Sequence, residues 1–208
     1  MEMRSFSSAL GRMRMLAGDP ALDFVNTLHW RDGREVDFLP DYGDLIGWSV
    51  PAGLLREAES VALAAAAATD PGAARSSHQL AIDLRTKWRE HLTQATGEPQ
   101  KEFSPQVAET LAALLAENQL VMAAEDLVAT EGGRALLLPL VRTALAIASL
   151  QLIPASREVG RCEGDPCGGF FLNTSRSKPR RWCSMDTCGN RAKVRKFRSR
   201  FVAEAAEQ

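Results

Sequence analysis

The pattern of apolar and polar positions divides the chain into helices separated by strong breakers. Asp19-Pro20 is a helix start, because Asp caps free backbone N–H groups and Pro suits the first helical position. Leu22, Val25 and Leu28 then share one side of a first helix that carries through to Trp30. The charged, turn-rich stretch 30–40 is expected to be a loop, followed by a short helix over 41–48. Residues 51 to about 68 form an Ala/Leu/Glu-rich helix that stops at Thr69-Asp70-Pro71-Gly72. Residues 75 to about 96 place Leu80, Leu84, Trp88 and Leu92 at close to helical spacing. Another helix starts at Ser104-Pro105 and runs to about Glu117. Residues 119–123 and 126–129 suggest two short paired strands, and 135–151 a buried helix.

Pro154 marks a domain boundary, giving a helical domain over 1–155 and a small second domain over 156–208. The first is long enough to bury its own core. The second is not, and domains that small usually need a staple. Within it, Phe170-Phe171-Leu172 and Arg181-Trp182 are expected as two strands around the polar turn 173–179, followed by a final helix. The fold class is therefore mainly α (α+β): a helical N-terminal domain, then a β-hairpin and a basic helix.

Four cysteines, the only ones in the chain, supply the staple. They fall as Cys162-x4-Cys167 and Cys183-x4-Cys188, with fifteen residues between the pairs. Two close pairs joined by a hairpin-length insert can place four thiolates around one tetrahedral zinc ion. Gly164, Gly168 and Gly169 suit a tight metal knuckle, and Cys188 is expected in the first turn of the final helix. The result is a treble-clef or ribbon-like finger. Two disulfides or four free thiols are the alternatives. Disulfides are disfavoured because Arg12 and Arg14 interrupt the place where a secretion signal needs its apolar core, which also points to the cytoplasm. An all-cysteine set leaves no labile position for a catalytic zinc.

Charge sharpens the division. Residues 1–160 carry 14 Lys and Arg against 21 Asp and Glu, net −7, whereas residues 161–208 carry 11 against 5, net +6. Ten of those cations lie between Gly168 and Ala203: Arg176, Lys178, Arg180, Arg181, Arg191, Lys193, Arg195, Lys196, Arg198 and Arg200. Asp186 is the single acid among them. On the last helix Asn190, Val194, Phe197, Phe201 and Ala205 form a stripe expected to pack on the finger or body. Arg191, Arg195 and Arg198 flank it on one side, and Lys193, Lys196 and Arg200 on the other. Such a surface suits phosphates, so this set, with Asn190, is the candidate nucleic-acid interface. A basic helix docking on an acidic protein partner is the alternative.

The run Arg181 to Arg195 strongly resembles the CGNR zinc-finger family, whose Cys-Gly-Asn-Arg signature stands here at residues 188–191. Cys162-x4-Cys167 and residues 170–176 share the resemblance, although Asn173 stands where such fingers often carry Asp. Residues 18–27, Gly-Asp-Pro-Ala-Leu-Asp-Phe-Val-Asn-Thr, resemble the opening of the ABATE domain, the usual partner of this finger. The resemblance implies a bacterial stress-induced transcription regulator that binds zinc through the four cysteines and contacts DNA, with RNA as a second target. It also implies a ligand-sensing N-terminal domain, and it leaves dimerisation open.

Asp23 and Asn26 lie three residues apart on the first helix and are candidates for lining an effector pocket. The other reading is that they hold neighbouring backbone. His78 and His91 are expected to be structural. No nucleophile elbow, P-loop or His-Glu-x-x-His occurs, so no enzymatic activity is expected. The longest mostly apolar run, Leu136 to Leu150, is broken by Pro139 and Arg142, so no membrane span is expected.

Overall fold

The computed structural model describes residues 13–31, 34–95, 102–117, 120–123, 126–129, 135–150, 158–175 and 178–206. The expected boundary at Pro154 and the cation Arg176 lie outside these. For Arg200, Phe201 and Ala205 only the backbone is described.

Helix α1 (Pro20–Val25) begins as the sequence dictates, with the Asp19 carboxylate accepting from the Ala21 N–H at 2.8 Å. It ends earlier than expected, at Asn26. The next residues turn into strand β1 (Leu28–Arg31), which pairs antiparallel with β2 (Arg34–Asp37). The stretch expected as a loop is thus half of a hairpin. The signal was present: Asp32-Gly33 between Arg31 and Arg34 is a dipeptide favoured in two-residue hairpin connections.

Helix α2 (Tyr42–Ser49) follows, its free N–H of Asp44 capped by Asp41. Helix α3 (Glu57–Thr69) starts six residues later than expected, because residues 51–55 form turns that place Leu54 and Leu55 in the core. Asp70 separates it from α4 (Pro71–Gln94) and caps the Ala73 N–H, so the breaker is a corner between abutting helices rather than a loop. Helix α5 (Pro105–Glu117), the antiparallel pair β3 (Leu120–Ala123) and β4 (Asp126–Ala129), and α6 (Leu138–Leu150) after a single 3-10 turn agree with the expected elements.

Strand β5 (Glu158–Arg161) pairs antiparallel with β6 (Phe170–Asn173), and the chain closes with α7 (Asn190–Ala206). Here the structure corrects the expected hairpin. Phe170–Asn173 pairs with the preceding segment, and Arg181-Trp182 is not a strand. The strands therefore bracket the first cysteine pair and leave the polar turn outside.

One core joins Phe24, Trp48, Leu84, Trp88 and Ile147 from the helices with Phe170 and Leu172 from β6. Side chains alternate along a strand, so Phe171 points the other way, into a small cluster with Cys162, Cys167 and Cys188. Three consecutive residues thus serve two cores. Helix α4 fastens the opposite side. Trp88 Nε1 donates to the Ala21 carbonyl at 3.0 Å, and the buried Arg85 guanidinium holds both oxygens of Asp37 at 2.7 and 2.6 Å. Among the described residues no helix is long and apolar enough to cross a membrane.

Candidate metal centre and cationic helix

Cys162 directly follows β5, and its N–H donates to the Gly169 carbonyl at 2.7 Å, which folds the chain into a knuckle. Gly164 sits at the tightest point. A Cβ there would lie 2.8 Å from Cys188 Cβ and 3.0 Å from its sulfur. Gly168, at φ +58°, makes the left-handed turn that returns the chain into β6. The second pair is aligned by the bond from the Glu163 N–H to the Arg181 carbonyl at 2.9 Å. Cys188 lies in a wide π-type turn, Met185–Gly189, that leads into α7.

The four sulfurs all lie within 4.8 Å of one another. Cys167 and Cys183 are 3.8 Å apart, and Cys183 and Cys188 are 3.7 Å apart. Four zinc–sulfur bonds of about 2.3 Å arranged tetrahedrally require sulfur separations of about 3.8 Å. A disulfide would require about 2.05 Å. All four cysteines are unbridged. Cys162, Cys167 and Cys188 are buried, so the site is closed and carries four soft donors, which fits zinc in a structural role.

The sulfurs are also prepared for negative charge. The Gly164 N–H donates to Cys162 Sγ at 3.4 Å, and Arg191 Nη2 to Cys188 Sγ at 3.0 Å. Hydrogen bonds from Cys167 and Cys183 pull Cys162 down, while their bonds to Cys162 push Cys167 and Cys183 up. A divalent ion binds such a set by displacing the thiol protons.

The structure sorts the candidate nucleic-acid residues into two groups. Arg180, Arg181, Arg191 and Arg195 are engaged within the finger. Arg180 lies 4.7 Å over the Phe171 ring and donates to the Cys183 carbonyl. Arg181 pairs with Glu163 at 2.8 Å and lies over Trp182. Arg191 reaches Cys188, and Arg195 binds Asp165 through its carboxylate and its carbonyl at 3.0 and 2.8 Å. Asn190 Nδ2 donates to the Asp186 carbonyl. Lys178, Lys193, Lys196 and Arg198 are exposed and have no partner among the described residues.

The apolar stripe of α7 is not packed away. Val194 is 50% and Phe197 62% exposed, so neither is buried against the finger or body. The helix is held at its root by the turn carrying Cys188 and by the Arg195–Asp165 pair.

Asp23 and Asn26 both bond to backbone. Asp23 Oδ1 accepts from the Leu16 and Ala17 N–H groups, each at 3.1 Å. Burial raises its pKa to about 6 despite those bonds. Asn26, the C-cap of α1, reaches β6, 144 residues away. This tie had no signal in local spacing.

Comparison with protein families gives two matches. Residues 18–151 match the model named ABATE, described as "Putative stress-induced transcription regulator", and residues 158–201 match the CGNR zinc finger. No curated protein matches the chain.

Proposed function

We propose, from the premise that this chain belongs to the ABATE family and ends in a CGNR zinc finger, that it is a transcription regulator whose zinc-fixed final helix binds DNA. The observation that supports this reading best is the outer flank of α7. Lys193 and Lys196 stand exposed one turn apart and without a partner among the described residues, as do Arg198 and Lys178. Zinc, held by Cys162, Cys167, Cys183 and Cys188, fixes the root of the helix, so that these cations are presented by a rigid support. Cations so placed release counterions from DNA, which makes affinity fall steeply with salt. The arginines engaged inside the finger orient it, and the lysines carry the free charge.

The test is a fluorescence-anisotropy titration of zinc-loaded protein against duplex DNA and against RNA of matched length, from low to physiological salt. Binding to the duplex with a steep salt slope is expected. Lys193→Glu with Lys196→Glu should weaken binding at least about tenfold and lower the slope by about two charges. An unchanged affinity in that double variant would overturn the reading. A second reading, docking of the helix on an acidic protein, is favoured by the exposure of Val194 and Phe197. Absence of nucleic-acid binding at low salt would put it first.

A further inference from the structure

A cleft of about 770 Å³ separates the N-terminal body from α7. Its body wall runs from Met13 to Phe38, and its other wall is the flank of α7 that carries Arg191, Arg195 and Arg198. An acidic body facing a basic helix would be expected to offer carboxylates. It offers Arg14 and His29 instead, and the only carboxylate lining the cleft is Asp186, from the finger itself. Four guanidinium groups thus line one concave space, whose finger wall also includes the metal-site residues Cys167, Cys183 and Cys188. Arg195 and Arg191 are engaged with Asp165 and Cys188, whereas Arg14 and Arg198 have no partner among the described residues. Arg191 and Arg195 are thus compensated by the sulfur cluster and by Asp165, and the cations left for a bound anion are Arg14 and Arg198 on facing walls. The remaining lining includes Leu16, Phe38 and Val194, an apolar surface beside the cations.

We propose that this cleft binds a small organic anion, a carboxylate or phosphate ester attached to an apolar group, with Arg14 from the body and Arg198 from α7 as its two charge contacts. The size lies within the range of small-molecule sites, and an apolar lining with few convergent polar groups is their usual character. Duplex phosphates are assigned to the outer Lys193–Lys196 flank instead. The ligand joins two parts of the molecule, so its binding restrains α7 relative to the body. The site does not depend on the DNA-binding reading.

The experiment is a titration of zinc-loaded, full-length, 15N-labelled protein with phenyl phosphate and with benzoate, followed by amide chemical shifts. Phenol and inorganic phosphate are the controls. One or both aromatic anions should shift the amides of Leu16, Phe38 and Val194, and which one binds tighter identifies the headgroup. Phenol and inorganic phosphate should bind at least about tenfold more weakly, since each lacks one half of the recognition. Arg14→Glu and Arg198→Glu, both at exposed positions, should each weaken the aromatic anion at least about tenfold. Lys193→Glu with Lys196→Glu should leave it unchanged, so failure here is separate from failure to bind DNA. Equal binding of phenol, shifts confined to the outer flank, or no loss in the Arg14 variant would each overturn the proposal.

Discussion

The side chain of Asn26 clasps the backbone of Phe170 from both sides. Its Oδ1 accepts from the Phe170 N–H at 2.9 Å, and its Nδ2 donates to the Phe170 carbonyl at 2.8 Å. An amide used in this way imitates a neighbouring strand. Just beyond, the Leu172 N–H donates to the Ala17 carbonyl at 2.7 Å, so the edge of β6 that β5 does not cover is satisfied by the body. Asn26→Ala removes both bonds and leaves a buried N–H and C=O without partners. It should cost about 2 kcal/mol, measured by urea unfolding of the zinc-loaded protein. Asn26→Asp, which loses the donor to the Phe170 carbonyl, should also be destabilised, and equal stability of Asn26→Asp and the native chain would show that donor to be dispensable.

Metal removal should be felt outside the finger. Phe170 and Leu172 are packed among the helices, while Phe171 between them contacts the cysteines. Chelation, or Cys183→Ser, should therefore raise amide hydrogen exchange in α1, whose Asn26 and Val25 neighbourhood loses the ordered strand, as well as in β5 and β6. Unaltered exchange in α1 would mean that the strand keeps its place without the metal.

Gly164 tests the tightness of the knuckle. Because a Cβ would collide with Cys188 Cβ at 2.8 Å, Gly164→Ala must push the two cysteine pairs apart. Zinc affinity, read by competition with a chromophoric chelator, should fall at least about tenfold, as it does when groups that position metal ligands are disturbed. Gly53→Ala is the control: it is strained by its φ of +72° but meets no neighbouring atom and lies far from the sulfurs in sequence.

One half-buried carboxylate, Glu59, and one buried carboxylate, Asp23, give stability opposite dependences on pH. Burial pushes Glu59 up, but hydrogen bonds from Arg142 at 2.8 Å and from Arg56 outweigh this and bring it down to about 2. A lowered acid stabilises the fold above its ordinary range, and that stabilisation is lost as pH falls from about 4.5 towards 2. Glu59→Gln should cost about 1–2 kcal/mol at pH 7 and flatten that acid limb. Asp23 is raised to about 6 by burial, so it favours the fold most when protonated. Stability should therefore rise as pH falls from about 6 towards 3.8, and Asp23→Asn should abolish that contribution. Thermal melts of the variants across pH 2–7 check both signs.

The helices and the cysteine cluster were legible because each rests on local chemistry. Asp19-Pro20 announces a helix start, Thr69-Asp70-Pro71-Gly72 announces a break although the next helix begins at Pro71 and not at residue 75, and the spacing of Cys162, Cys167, Cys183 and Cys188 announces a shared ion. What spacing misassigned was partnership. Phe170-Phe171-Leu172 is plainly a strand, but nothing near it says that β5 lies on one side and Asn26 on the other. The charge count was likewise correct without revealing that Arg180, Arg181, Arg191 and Arg195 are engaged inside the finger. The heptad-like stripe of α7 suggested packing, yet Val194 and Phe197 remain in solvent, because amphipathic spacing states only what a helix could bury.

The clasp at Phe170 has a consequence for anyone dividing this molecule. A fragment ending before β5 would keep a slot shaped for Phe170 and Leu172 and nothing to fill it. Transplanting the finger between relatives would demand that the recipient's first helix offer the matching amide at its end. The two family segments are separate in sequence, but along this seam they must be inherited as a pair.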